Sequence, residues 1–225
     1  MTSTVNLSPE SIVYEGQFGP FTIEAADRRE VVQYRAGLAI AALCFALGTT
    51  GVLWRGDLGW VVQSVSLLYT GFWVALGYSL FKIHIYLRPL HRLLQAFWLI
   101  GGIASLAIAH LSPEPFALTV FQQPETLWGI GFTFAALTGI YFKEAFCFNR
   151  LETKFLTPIV PFLLLGHLFH FLPVSWEAFL LAFWAANFAI FALRKAVQPI
   201  PPDIGDKSVF DYLEQQRQQS TAKAS

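Results

Sequence analysis

Apolar residues gather along the chain into six long runs separated by short polar stretches: residues 36–54, 60–81, 93–111, 126–142, 155–172 and 176–193. A helix needs about 20 mostly apolar residues to cross roughly 30 Å of hydrocarbon, so each run has, or nearly has, the length of a span. The second run contains no charge at all, and the fourth is the shortest. The fifth contains Pro158 and Pro161, which membrane helices tolerate because neighbouring groups re-satisfy the freed carbonyls. Only Pro173-Val174-Ser175 joins the last two runs, which makes them an antiparallel hairpin. Residues 116–121 read as a re-entrant or interfacial piece. The pattern predicts an all-α, polytopic membrane helical bundle of six transmembrane helices over 36–193. A polar segment, 1–35, precedes it and a polar tail, 194–225, follows it.

Composition agrees with that pattern. The chain is 55% hydrophobic and 13% charged, with a mean hydropathy of +0.50, whereas soluble domains carry about a quarter charged residues. Lipid must therefore solvate part of the surface. A formal net charge of zero argues against a nucleic-acid partner. The first 35 residues hold Glu10, Glu15, Glu24, Asp27 and Glu30 and no long apolar core, unlike a secretory leader. Cys44 sits in an apolar run and Cys147 in a charged stretch, a poor pairing for a disulfide.

The placement of charge sets the expected orientation. Arg28, Arg29 and Arg35 precede the first run; Lys82, Arg88 and Arg92 fill the second loop; Lys143, Arg150 and Lys154 fill the fourth; Arg194 and Lys195 open the tail. Only Arg55 falls in the first loop, and the third and fifth loops have no basic residue. Six spans with both termini on the cytoplasmic side put every basic residue but Arg55 inside, as the positive-inside rule demands. Trp54, Trp60, Trp128 and Trp176 fall at outer ends of spans, where amphipathic rings prefer to sit. At the inner end, the stretch from Glu24 reads as a helix running into the first span. Ser208 to Gln219 reads as a short amphipathic helix, and the residues from Gln215 onward as disordered.

Helices in lipid associate through close approach at small residues. Ala178, Ala182, Ala185, Ala189 and Ala192 form one face of the sixth run, and Ala39, Ala42, Ala46 and Thr49 a shorter face of the first. The alanine face is expected to meet another helix, with much of the aromatic face, including Trp184 and Phe188, toward lipid. Asn187 and Gln63 read as interhelical hydrogen bonds. A weak internal similarity relates Phe81-Lys82, Arg88, Arg92 and Leu94 to Phe142-Lys143, Arg150, Lys154 and Leu156, the kind of duplication on which transporters are built.

Candidate chemistry follows from ionisable groups at membrane depth. His167 lies ~18 Å into the fifth span and His170 ~22 Å, on a shared helix face, while His110 reaches a similar depth in the third. Asp57, Glu114, Glu125 and Glu177 are also on the outer side. Such imidazoles and carboxylates could bind a divalent metal, and one imidazole could ligate haem or chlorophyll magnesium. The alternative is neutral histidines bonded to backbone, neighbours or water. Lys143, Arg150 and Lys154 could contact lipid phosphate or an anionic partner, or serve only as positive-inside anchors with internal ion pairs. A nucleophilic Cys147 would need a base from elsewhere, such as His84 or His91.

Three stretches carry a resemblance: Tyr14-Glu15-Gly16-Gln17-Phe18-Gly19-Pro20-Phe21-Thr22-Ile23, Tyr34-Arg35-Ala36-Gly37-Leu38 and Cys147-Phe148-Asn149-Arg150-Leu151-Glu152-Thr153-Lys154. With the hydrophobic layout, the chain resembles a family of uncharacterised integral membrane proteins of cyanobacteria and plastids. The resemblance implies a plasma (inner) or thylakoid membrane, and it carries no catalytic residue and no cofactor. The expected role is a non-enzymatic assembly or scaffold factor for another membrane complex, a photosynthetic one being among the candidates in the family's setting. The alternatives are a small transporter or channel, and a metal- or tetrapyrrole-handling protein. The expected partners are the lipid bilayer and a membrane-protein complex.

Overall fold

The computed structural model describes residues 13–85 and 87–224. A small antiparallel hairpin, β1 (Val13–Gly16) and β2 (Gly19–Thr22), opens it, with Tyr14 opposite Phe21. The rest is helical: α1 (Ala25–Arg55), α2 (Gly59–Lys82), α3 (Arg88–Leu111), α4 (Phe116–Gln122), a 3-10 turn (Pro124–Thr126), α5 (Leu127–Phe148), α6 (Leu151–Leu168), α7 (Val174–Val197), α8 (Pro201–Ile204) and α9 (Ser208–Ala224). All six apolar runs are helical over most of their length, the fifth only as far as Leu168. Four of them, α1, α2, α3 and α7, are long and apolar enough to cross a membrane. In α5 the last turns carry Lys143 and Glu144, and the 18-residue α6 carries Glu152, Lys154 and two prolines, which dilute their hydropathy.

The six long helices form a ring in chain order. Each packs on the next, with α1 against both α2 and α7 to close the circle and α4 tucked against α2 between α3 and α5. Aromatic side chains from four of these helices fill the axis. Phe45 of α1 lies 4.5 Å from Trp184 of α7, Phe72 of α2 stacks 5.9 Å from Phe134 of α5, and Tyr141 meets Phe188 edge-on at 5.5 Å. Trp184 donates to the Tyr141 hydroxyl at 3.3 Å. Leu38, Leu76, Leu137 and Val160 complete this core.

The inward face of α7 is therefore its aromatic one, contrary to the expectation from spacing. Trp184, Phe188 and Phe191 are fully buried, Ala192 is buried beside them, Ala178, Ala185 and Ala189 are half-buried at the flanks, and Ala182 is exposed. A ring of six leaves an axial space that methyl groups cannot fill at normal interior density, so the large rings turn inward. Close helix approach falls elsewhere. On α1 the buried small residues are Gly37, Ala41, Ala42, Gly48 and Thr49, whereas Ala39 is exposed. Gly37 faces the Ala75 carbonyl and Ser79 of α2, and Ser79 donates to the Tyr34 carbonyl at 3.0 Å. Asn187 bonds the Phe183 carbonyl of its own helix, and Gln63 is exposed. Tyr69 instead links helices, to Ser105 at 2.7 Å and Thr133 at 3.2 Å.

The α2–α3 seam is held by a reciprocal pair. Trp73 and Trp98 stack at 4.3 Å with an interplanar angle of 9°. Each indole N–H donates to the backbone carbonyl of the other residue, at 3.0 and 2.8 Å. Each ring also lies on a glycine of the opposite helix, Trp98 on Gly77 and Trp73 on Gly102. In both helices the glycine follows its tryptophan by four residues, one turn on, so the contact has local two-fold character.

Two further boundaries differ from expectation. The charged stretch 143–154 is no loop: α5 runs to Phe148 and α6 starts at Leu151, with Asn149 in the left-handed conformation (φ 52) as the turn. Asparagine tolerates that conformation at helix ends, and within the stretch Lys143 pairs with Glu144 and Arg150 faces Glu152. The tail is helical to Ala224 rather than disordered from Gln215, in keeping with its good helix formers.

Gly77→Ala should destabilise the protein in detergent by about 1–3 kcal/mol, the cost of core overpacking, and so lower its melting temperature, because the added methyl overlaps the Trp98 ring. Gly131→Ala, where a methyl meets nothing within 4 Å, should be neutral or stabilising. Equal melting curves for the two variants would remove the tryptophan–glycine seam from the account.

Candidate functional site: a buried ionic cluster at the basic end

One end of the ring collects the ends of α2, α5 and α7 and the starts of α1, α3 and α6, together with both described termini. The end of α7 would leave Lys195 among apolar neighbours, since its side chain is fully buried. Two carboxylates meet it: Glu144 of α5 at 2.5 Å and Asp203 of α8. Asp203 is also gripped by Arg35 of α1, at 2.8 Å through Nε and 2.6 Å through NH2. Arg35 donates further to the Gln198 and Pro199 carbonyls at 2.6 and 2.9 Å. Glu144 accepts from Lys143 at 2.9 Å and from the Tyr34 hydroxyl at 3.3 Å. The Phe148 ring lies 4.2 Å from the Lys195 ammonium. Pro201 and Pro202 turn the chain back after α7 and make α8, which is how Asp203 reaches a lysine only eight residues earlier.

A second group lies beside it. Arg194 donates to Glu152 at 2.9 Å, and Arg150 donates to the Gln198 side chain at 2.7 Å and faces Glu152 at 3.8 Å. Farther out, the N-terminal hairpin and α9 hold each other. Gln17 N–H donates to Asp206 at 2.6 Å, Phe18 N–H to Ser208 at 3.0 Å, and the Phe18 and Tyr212 rings stack at 4.0 Å. The backbone N–H of Gln17 holds the Asp206 carboxyl below its usual range, aided by Ser208. Lys207 pairs with Asp27 at 2.8 Å, and Lys82 and His84 face Glu30 at 3.3 and 3.6 Å. Burial pushes the His84 pKa down, more than Glu30 and Asp27 pull it up.

Of the basic residues singled out in the sequence, Lys143 and Arg150 are thus turned inward and paired, and Lys154 is exposed. Sequence inspection missed Glu144, Lys195, Asp203 and Arg35 as a set. The available signal was the helix-breaking Pro199-Ile200-Pro201-Pro202 followed by an acid, which folds a carboxylate back on the basic end of α7. His84, Lys143 and Cys147 do line one cavity, although His91 bonds the Leu80 carbonyl instead.

The histidines at the other end of the ring enter separate contacts. His167 bonds Glu177 of α7 at 3.0 Å and stacks on Phe121 at 5.5 Å. His170 is exposed and left-handed (φ 56) in the turn that ends α6, so it does not share a helix face with His167. The helix stops there because Leu172 folds back on Gly166 and Phe171 N–H reaches the Gly166 carbonyl. His110 is exposed and bonds the Leu106 carbonyl of its own helix. Among the described residues no three His, Cys, Asp or Glu side chains form a set that could hold a metal ion. The expected cluster of His110, His167 and His170 does not form.

Residues 78–212, more than half of the chain, match the family described as uncharacterized integral membrane protein (DUF2301). The chain belongs to this family. The matched region includes Glu144, Glu152, Arg194, Lys195 and Asp203, so the ionic cluster lies within it apart from its α1 partners Tyr34 and Arg35. Comparison with curated proteins and with solved structures found no match.

Removing one member of a buried ion pair leaves an uncompensated charge, at a cost of about 3–5 kcal/mol. Lys195→Met should therefore destabilise the detergent-solubilised protein by that order, measured by thermal unfolding, and adding Glu144→Gln should restore part of the loss. A single variant as stable as the parent would show that the cluster contributes nothing.

His84 supplies a pH test with a fixed sign. Its folded pKa lies below the unfolded value of about 6.5, so the unfolded chain takes up the proton first and stability falls as pH drops through that region. The parent should lose more melting temperature between pH 7.5 and 5.5 than His84→Gln; identical slopes would refute the assignment.

Proposed function

We propose that this family member is a non-enzymatic scaffold or assembly factor of a bacterial-type inner or thylakoid membrane. In this reading all six long helices span, both termini lie on the cytoplasmic side, and another membrane protein is held on the flank of the ring. The contact between the N-terminal hairpin and α9 supports an even number of passes, and the gathering of basic residues at that end supports its orientation.

The observation that carries the scaffold role is a lateral groove between α5 and α6. Its volume is about 350 Å³, and its lining is almost wholly apolar. On α5 its floor is Gly131, Ala135 and Thr138, small residues one turn apart, the spacing through which a second helix approaches closely in lipid. Leu165 and Pro161 form the α6 wall. The occupant is a transmembrane helix of the partner. Transport draws less support because the ring axis is packed with aromatic side chains, and tetrapyrrole or metal handling draws less because the histidines engage different neighbours.

A photo-crosslinking residue at Leu165 should yield a discrete protein adduct in native membranes, and one at lipid-facing Ile103 of α3 should not. Gly131→Leu should abolish co-purification of that partner in mild detergent while leaving melting unchanged. Reporter fusions after residues 57, 114 and 174 should read outside and those after 90 and 150 inside. Adducts of the same size from both crosslinking positions would reject the groove, and termini reporting opposite sides would reject the topology.

A further inference from the structure

A second cavity, of about 290 Å³, lies beside the ionic cluster between the start of α3, the end of α5 and α8. Its walls include Leu87, Leu90, Phe142 and Phe146, and its polar side is formed by His84, Lys143 and Asp203. We propose that it binds one anionic phospholipid from the leaflet at the basic end, with the phosphate on Lys143 and the adjoining acyl segment along the aromatic wall. This goes beyond the scaffold reading and does not depend on it.

Charge and shape both point to that ligand. Across the cluster, Arg35, Lys143 and Lys195 face two carboxylates, Glu144 and Asp203, which leaves one positive charge in excess. Asp203 is already engaged by Arg35 and Lys195, and Glu144 by Lys195, Lys143 and Tyr34. The surplus is carried by Lys143, whose ammonium has three N–H donors and gives one to Glu144. Lys143 alone among the three cations lines the cavity. A soluble anion would gain the charge but leave the walls wet. The rim residues Leu87, Phe142 and Phe146 are 60%, 55% and 84% exposed, at the level where the long helices end and where headgroups meet hydrocarbon. A phospholipid satisfies both parts, covering the rim with its chain and the ammonium with its phosphate. Basic residues near a membrane surface attract anionic lipid in this way.

Cys147, exposed on the same cavity, serves as the reporter, in full-length protein carrying Cys44→Ser. Maleimide alkylation is timed in nonionic detergent with added phosphatidylglycerol or with phosphatidylcholine of the same chains. Phosphatidylglycerol should slow it about five-fold relative to phosphatidylcholine, the factor for one basic residue at an anionic surface. That ratio, taken within each variant, should fall to one in Lys143→Gln and in Phe146→Asp, and native mass spectrometry should show one retained phosphatidylglycerol. Should Lys143→Gln fail to fold, Phe146→Asp still decides, since position 146 is exposed. A ratio of one in the parent, or one that survives Phe146→Asp, overturns the site. Equal protection by inorganic phosphate alone overturns the lipid as ligand.

Discussion

A lysine with no solvent exposure sits at the end of α7, and much of the architecture around it answers the requirement of neutralising that one charge. Burying an ammonium without a partner costs several kcal/mol even after relaxation. Two carboxylates on different elements meet Lys195, and each of those is in turn met by another cation. The result couples α1, α5, α7 and α8 through a handful of atoms. It also explains why the chain turns back after Val197 instead of trailing away, since Asp203 is needed where α8 places it. With α8 fixed, α9 starts beside the N-terminal hairpin, and the outer shell of contacts at Asp206, Ser208 and Tyr212 follows.

At the other levels of the fold, packing is by shape more than by charge. Large aromatic residues occupy the axis, and glycines and alanines permit close approach between neighbours on the ring. The reciprocal Trp73–Trp98 contact shows both at once, because each bulky ring is admitted by a glycine on the opposite helix. Such a contact fixes rotation and axial position together: a slide along the seam breaks both indole hydrogen bonds.

The hydrophobic runs were legible in the sequence because the 30 Å constraint acts on every residue of a span, and all six proved to be helical over most of their length. The start of α1 at Ala25, ahead of its apolar run, and a short separate element over Phe116–Gln122 were legible for similar local reasons. Facing was not. Spacing identified two faces of α7 but could not say which would turn inward, because that depends on the width of the space that six helices enclose. The ionic cluster was hidden for a related reason. A basic residue after an apolar run reads the same in the sequence whether it faces solvent or a buried carboxylate, so the pattern masks the pairing of Lys143 and Lys195 with Glu144 and Asp203. The histidines misled in a third way: depth along a helix was correct for His167, but the helix ended before His170.

The filled axis has a consequence for how the protein behaves in an electric field. Phe45, Phe72, Phe134, Tyr141, Trp184 and Phe188 place a plug of low polarity along the centre of the ring. If the ring spans a membrane, the transmembrane voltage falls across that plug much as it does across lipid, and the buried charges gathered at one end lie away from its middle.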